Sequence, residues 1–313
     1  MTDIVNAAVA VLLRADGKVL LGQRPEGKSW AGWWEFPGGK IEEGESAEQG
    51  LQRELEEELG VNATSFNSWL TRVFSYPERT VRLNFFMVRD WRGEPYGKEG
   101  QNISWQDPHS LSVSPLLPAN QPVMEALRLP TTYAITNLAE MGESAFFAAL
   151  QRQLESGLRL IQVREKQLSA SELASFTTKV LSAAQPYSAK VLVNGDVALA
   201  QELDAHGVHL SAARLMAMTE KPANLLCGAS CHNAEEIAQA ARLGLDYALL
   251  GAVQATLTHP DVATLGWQQF AALVRNQPLP IYALGGMGLR DMPMAWQHGG
   301  HGIAMMRGVW KPT

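Results

Sequence analysis

Glu54, Glu57 and Glu58 stand at i, i+3 and i+4. In a helix that spacing stacks three carboxylates on one face. Like charges so placed repel, and a divalent cation relieves the repulsion. Hard oxygen ligands of this kind suit Mg2+ or Mn2+, which usually share coordination with substrate phosphates. Arg53 lies one residue off the face and is expected to brace Glu45 in the preceding loop. Pro37-Gly38-Gly39 offers a tight turn whose backbone can approach a metal or a phosphate. The competing reading is a solvated acidic helix face, the usual fate of a Glu-rich run.

A second group lies far downstream. Gln162, Arg164 and Lys166 alternate, so an extended segment would carry one amide and two cations on one face. That arrangement suits a phosphorylated ligand; the competing reading pairs both cations with surface acids. His206-x-x-His209 and Cys227-x-x-x-Cys231 resemble a zinc pattern in outline. Cys227 reads as a core residue and Cys231 as a loop residue, so zinc is not expected. Trp30, Trp33 and Trp34 either line a pocket or pack.

The acidic helix is expected from Ala47 to Leu59, with Ser46 and Gln49 as a capping box and Gly60 as the stop. Strand-like runs surround it at Ala7–Leu13, Val19–Gln23, Ser68–Phe74 and Val81–Arg89, and a short helix follows at Gln121–Leu127. This is an α+β layered pattern. After Leu129-Pro130-Thr131 the rhythm becomes strand–helix alternation. Eight apolar runs begin at Tyr133, Arg159, Lys190, Gly207, Leu225, Tyr247, Pro280 and Gly302. Alternation this regular fits a (β/α)8 TIM barrel, with a doubly wound sheet as the alternative. The expected domains are residues 1–129 and 130–313.

The 313 residues are 46% hydrophobic and 19% charged, an ordinary globular composition. Of the net charge of −6, five units fall in residues 1–129, which hold 18 acidic and 13 basic residues. A net-negative domain is a poor partner for duplex nucleic acid or an anionic membrane. Two cysteines make no disulfide framework. No run is long and apolar enough to span a membrane. A cytoplasmic, soluble protein is expected.

The full spacing is more specific than composition. Gly39, five residues, Glu45, seven residues, then Arg53-Glu54-Leu55-x-Glu57-Glu58-x-Gly60-Val61 resembles the Nudix box. The resemblance implies an α/β/α sandwich and hydrolysis of nucleoside diphosphates linked to a further moiety. It implies metal ligation by Glu54, Glu57, Glu58 and the Gly38 carbonyl, with catalytic residues Arg53, Glu54, Glu57 and Glu58. One glutamate is expected to act as general base, and spacing does not assign it. Glu35-Phe36-Pro37-Gly38-Gly39-Lys40 and Leu117-Pro118-Ala119-Asn120-Gln121-Pro122-Val123 extend the likeness to MutT-type 8-oxo-dGTP diphosphatases. By that resemblance Glu99 is a further metal ligand, Asn120 reads the oxidised guanine, and Arg24, Phe36, Glu78 and Arg79 contact the nucleotide. Glu78 replaces an aspartate typical of the group, and Asn120 has a simpler reading as a turn or capping residue. The implied reaction is Mg2+-dependent conversion of 8-oxo-dGTP to 8-oxo-dGMP and pyrophosphate.

Residues 133–313 resemble thiamine phosphate synthases and the TenI-like thiazole tautomerases. The matching pieces are Tyr133-Ala134-Ile135-Thr136, Ile161-Gln162-Val163-Arg164-Glu165-Lys166, Val193-Asn194, Gly207-Val208-His209-Leu210, Gly228-Ala229-Ser230-Cys231-His232-Asn233 and Ala283-Leu284-Gly285-Gly286-Met287. They imply a thiamine-related phosphate ligand near Gln162, Arg164, Lys166, Asn194, His232, Gly285 and Gly286. A synthase is expected to carry acidic Mg2+ ligands after strands three and four and a lysine after strand six. Here Gly195, Ser211-Ala212-Ala213-Arg214 and His259 stand in those stretches. Synthase activity is therefore expected to be degenerate. The alternative is a bifunctional or regulatory thiamine-pathway protein whose barrel binds or tautomerises a thiazole phosphate.

Overall fold

Alternation along the central strands determines the first layer of organisation. In β1 (Ile4–Leu12), Ala8, Ala10 and Leu12 join a core that includes Leu51, Leu55 and Leu59. Val9 and Val11 join the opposite core with Val123, Met124 and Ala126. Successive strand side chains face opposite ways, so one strand supplies both cores of a helix–sheet–helix sandwich. The same split recurs at Phe85 and Phe86 in β7 (Thr80–Val88).

In this computed structural model the described residues are 4–77, 79–256 and 263–311. The chain divides into two compact units, residues 1–128 with 275–278, and residues 129–274 with 279–313. In the first unit β2 (Val19–Gln23), β3 (Trp34–Glu35) and β4 (Gly38–Lys40) precede α1 (Ala47–Leu59). Then come β5 (Asn62–Ala63), β6 (Asn67–Ser75), β7, β8 (Trp91–Arg92), β9 (Ile103–Gln106) and α2 (Gln121–Leu127). The sheets run β4-β1-β7-β6, β3-β2-β9 and β5-β8, with β1 and β7 parallel.

The expected bounds of α1 hold because its signals are local. Ser46 accepts from the Gln49 N–H, Gln49 reaches back to Ser46, and Gly60 closes the helix in the left-handed region at φ 66°. Leu51, Leu55 and Leu59 bury its apolar stripe, each contributing about 1.5–3 kcal/mol.

The second unit is a closed, parallel eight-stranded barrel. Its strands are β10 (Thr132–Ile135), β11 (Leu160–Val163), β12 (Lys190–Asn194), β13 (Gly207–Leu210), β14 (Leu226–Cys231), β15 (Tyr247–Gly251), β16 (Ile281–Leu284) and β17 (Gly302–Met305). The intervening helices are α3 (Leu138–Met141), α4 (Glu143–Glu155), α5 (Ala170–Ala184), α6 (Val197–Glu202), α7 (Ala212–Ala217), α8 (Ala234–Arg242), α9 (Gly266–Val274) and α10 (Met292–Gln297). Closure removes the doubly wound alternative. Cys231 ends β14 and is buried, so its expected place in a loop is corrected. No helix among the described residues is long and apolar enough to cross a membrane.

Candidate functional site

Arg53 organises the acidic helix. Its Nε donates to Glu45 Oε1 at 2.8 Å, and Nη2 donates to Glu45 Oε2 at 3.2 Å and to the Lys40 carbonyl at 3.1 Å. Nη1 donates to Glu54 Oε1 at 2.9 Å and Glu57 Oε2 at 3.2 Å. The planar fork thus uses its donors to fix three carboxylates and a loop carbonyl. The expected brace to Glu45 is present, and the solvated-face reading fails for Glu54, whose side chain is only 16% exposed. Gly39 shows the reason for a glycine there: an added Cβ would stand 2.3 Å from the Glu54 carboxyl carbon.

Glu58 lines a cleft together with Arg24, Lys28, Glu35, Glu99 and Gln101. Its Oε2 accepts the Gly38 N–H at 3.2 Å. Burial raises its carboxyl to about 7, with Glu54, Glu35 and Glu99 adding repulsion against that hydrogen bond. Burial likewise raises Glu35, although Arg24, Lys28 and Arg79 pull the other way. Arg24 Nη1 meets Glu35 Oε1 at 2.5 Å, and Lys28 Nζ meets Glu99 Oε2 at 2.9 Å. The loop carrying Glu99 is fastened to the end of α1: the Lys98 N–H and Gln101 Nε2 both donate to the Glu58 carbonyl.

Among the described residues no three carboxylate, imidazole or thiol groups converge as a metal centre. Glu99 is turned to Lys28 and Glu57 to Arg53. The donor set nonetheless fits a hard divalent cation. It consists of carboxylate oxygens, and the mutual repulsion at Glu58 is the kind a cation removes.

The other nucleotide-contact expectations distribute unevenly. Phe36 is buried, edge-on to Phe85 at 6.2 Å. Asn120 is 4% exposed at the end of a 3-10 turn, Pro118–Asn120, and its amide caps nothing. A side-chain cap is therefore absent, while the turn half of the simpler reading holds, since Asn120 ends that turn at the N-cap position of α2. Glu78 and His259 lie outside the described residues. Trp30 packs edge-on against Trp33 at 4.9 Å and Tyr76 at 5.8 Å, while Trp34 is core. Lys28, Glu35 and Gln101 line the cleft without having been singled out from spacing; only their place beside quoted motifs could have flagged them.

In the barrel, the expected alternation of Gln162, Arg164 and Lys166 is corrected. Strand β11 ends at Val163, so a period of two does not continue past it. Gln162 points inward: its Nε2 donates to Tyr133 Oη at 3.0 Å, and its Oε1 accepts from Asn194 Nδ2 at 3.4 Å. Tyr133 and Tyr247 hydroxyls meet at 2.9 Å. His209 continues the chain, with Nδ1 3.2 Å from Tyr247 Oη and Nε2 2.9 Å from Ser230 Oγ. Burial holds this imidazole down at about 3, with Arg164's charge adding to the effect. The wall is thus a hydrogen-bonded chain across β10, β11, β12, β13, β14 and β15. Sequence spacing could not show it, because its members come from six strands.

Arg164 and Lys166 form no ion pair among the described residues, so the surface-pair reading fails. His232 Nδ1 lies 3.0 Å from Glu236 Oε2, its side chain 59% exposed. Gly285 and Gly286 have φ of 101° and 70°, and a Cβ on either would strike residues 252–255. The zinc outline dissolves. His206 Nδ1 accepts from the Val191 N–H, and burial raises both buried thiols, Cys227 and Cys231, to about 12.

The stretches where a synthase would carry metal-binding acids serve the helices instead. Asp196 caps α6 through the Leu199 N–H at 2.9 Å, and Ser211 caps α7 through the Arg214 N–H at 3.3 Å.

Comparisons with known proteins agree with both units. Residues 4–127 match the NUDIX domain family and residues 132–309 match the thiamine monophosphate synthase family. An 8-oxo-dGTP diphosphatase of Haemophilus influenzae is 39% identical over 124 residues, covering 40% of this chain and 91% of that protein. A CTP pyrophosphohydrolase of Escherichia coli is 41% identical over 118 residues, covering 38% and 87%. A putative thiamine-phosphate synthase 2 of Aquifex aeolicus is 31% identical over 180 residues, covering 57% and 96%. The chain belongs to the Nudix hydrolases through its first unit and to the thiamine monophosphate synthase family through its barrel.

Proposed function

We propose that the first unit is a pyrophosphohydrolase that converts 8-oxo-dGTP to 8-oxo-dGMP and pyrophosphate, clearing a mispairing base from the nucleotide pool. The observation that carries the reading is the Arg53 fork, which fixes Glu45, Glu54 and Glu57 beside Glu58 and Gly39. Glu54, Glu57, Glu58, Glu99 and the Gly38 carbonyl would hold Mg2+, with Mn2+ as substitute. When bound, the ion neutralises charge on the phosphate oxygens. Water attacks phosphorus, the α–β anhydride bond breaks, and a glutamate of the set takes the proton. Arg53 keeps those glutamates in place, and Arg24 and Arg79 supply positive charge around Glu35.

Asn120 favours an oxidised purine. Its amide offers both donor and acceptor, is nearly buried, and is not consumed by a cap. CTP is the competing substrate, by the similarity to a CTP pyrophosphohydrolase. The test compares kcat/KM for 8-oxo-dGTP, dGTP, CTP and thiamine diphosphate with Mg2+. The highest value is expected for 8-oxo-dGTP, and Glu57→Gln should lower it by about 10²-fold or more with the fold retained. Wild-type activity in Glu57→Gln would reject the metal assignment.

The barrel supports a second reading beside the first: it binds a phosphorylated thiazole or related ligand without performing the synthase reaction. Asp196 and Ser211 are engaged as helix caps where that reaction would need free acids. His232, held by Glu236, is the acid–base group available for tautomerisation. Two free, buried cysteines suit the reducing cytoplasm.

A further inference from the structure

Among the described residues, most acids of the barrel's C-terminal rim are committed, Glu235 at the start of α8 excepted, and several cations stand outside ion pairs. Glu140 pairs with Arg307 and Glu236 with His232. Glu165 accepts from the Leu138 N–H and Gln167, and Asp196 from the Leu199 N–H. Asp291 accepts from the Gly288 N–H and Gln254. Arg164, Lys166 and Arg214 form no ion pair among the described residues, and they follow β11 and β13, the two strands that flank β12 at one side of the mouth. Between those strands β12 ends in Gly195, with φ 75°. The position of a Cβ there would lie 3.6 Å from Arg214 Nε and 4.0 Å from Arg214 Cζ. Arg214 therefore leans across the end of β12, toward the strand that carries Asn194. On the other side, Arg164's charge reaches the buried His209, whose neutral ring brings no positive charge of its own.

We propose that Arg214, carried over Gly195 by α7, is a binding residue for a phosphate-bearing ligand and that Arg214, Arg164 and Lys166 hold this ligand at the barrel mouth without a divalent cation. The inference rests on the reading of the barrel as a ligand site and deepens it. Guanidinium groups present paired N–H donors to phosphate oxygens as well as charge. Two arginines and a lysine flanking one strand end thereby supply the positive charge that a metal bridge would otherwise provide to a mono- or diphosphate. The small side of the cradle is also accounted for. A side chain at 195 would be strained at that φ, and its Cβ would sit in van der Waals contact with Arg214.

The test titrates the full-length protein by calorimetry with thiazole phosphate and, separately, with inorganic pyrophosphate, in excess EDTA and again in Mg2+. Binding is expected in EDTA, falling with added salt. The pyrophosphate arm shows whether a free diphosphate suffices or the phosphate must come on an organic carrier. Arg214→Ala and Arg164→Ala should each weaken binding about ten- to hundredfold, as expected for a lost charge-assisted hydrogen bond. Arg214→Lys should recover part of the loss. Melting temperature and the hydrolase rate of the first unit should stay at wild-type values in Arg214→Ala, since this side chain is exposed. Binding that requires Mg2+, or that survives Arg214→Ala undiminished, overturns the inference while leaving the barrel a ligand site. Absence of binding of either compound in both conditions overturns the ligand-site reading itself.

Discussion

Glu58→Gln should stabilise the metal-free protein while damaging its activity. The Glu58 carboxyl is shifted from 4.5 to about 7, which corresponds to about 3 kcal/mol of unfavourable charge. Partial solvent exposure screens part of this, leaving about 1–3 kcal/mol. Between pH 4.5 and 7 the folded protein holds a proton that the unfolded chain has released. Stability therefore falls as pH rises through that window, then levels off. Glutamine removes the charge and keeps a carbonyl oxygen for the Gly38 N–H. Urea or thermal unfolding in EDTA should show no gain for the variant at pH 4.5, where the wild-type group is protonated. At pH 8 the gain should approach its full value, with a melting shift on the order of 5 °C. Adding Mg2+ at pH 8 should raise the wild type more than the variant, because an ion supplies the compensation otherwise missing. A variant no more stable than wild type at pH 8 would refute the picture of a carboxylate penalised first by burial and then by its acidic neighbours, awaiting a cation.

Three other outcomes are expected. Gly39→Ala places a methyl 2.3 Å from the Glu54 carboxyl carbon; the fold should survive, since a side-chain end can move. Its half-saturating Mg2+ concentration should rise by about 10–100-fold, as read from rate against metal concentration. Asn120→Leu should abolish most discrimination between 8-oxo-dGTP and dGTP, about 10²-fold or more in the kcat/KM ratio. Its melting temperature should hold or rise, because a nearly buried amide without a cap partner is removed. Gly228→Ala should destabilise the barrel by about 1–3 kcal/mol or more, seen as a lower melting temperature, because the new Cβ would stand 2.1 Å from the Tyr247 ring.

What could be read from the sequence follows the range of the governing interaction. The ends of α1 are legible because Ser46, Gln49 and Gly60 act within one turn of the helix they bound. Barrel strands are legible as apolar runs because strands covered on both sides lose the polar half of the alternation. Strands β3, β4, β5 and β8 leave no such mark: they are two or three residues long, and their pairing is imposed by partners such as Ala7–Val9. The acidic box is legible as chemistry because its spacing carries it, and Arg53 is placed as expected. The direction of Glu99 toward Lys28 is not legible, since those residues meet across 71 positions. Nor is the inward turn of Gln162, whose partners Tyr133 and Asn194 come from neighbouring strands.

The two caps at the barrel rim have a mechanical consequence. Because Asp196 is tied to the start of α6 and Ser211 to the start of α7, neither side chain can swing toward the mouth without leaving the first turn of its helix short of a hydrogen bond. Residues that cap nothing, Arg214 among them, can change rotamer or identity with the helices left in place.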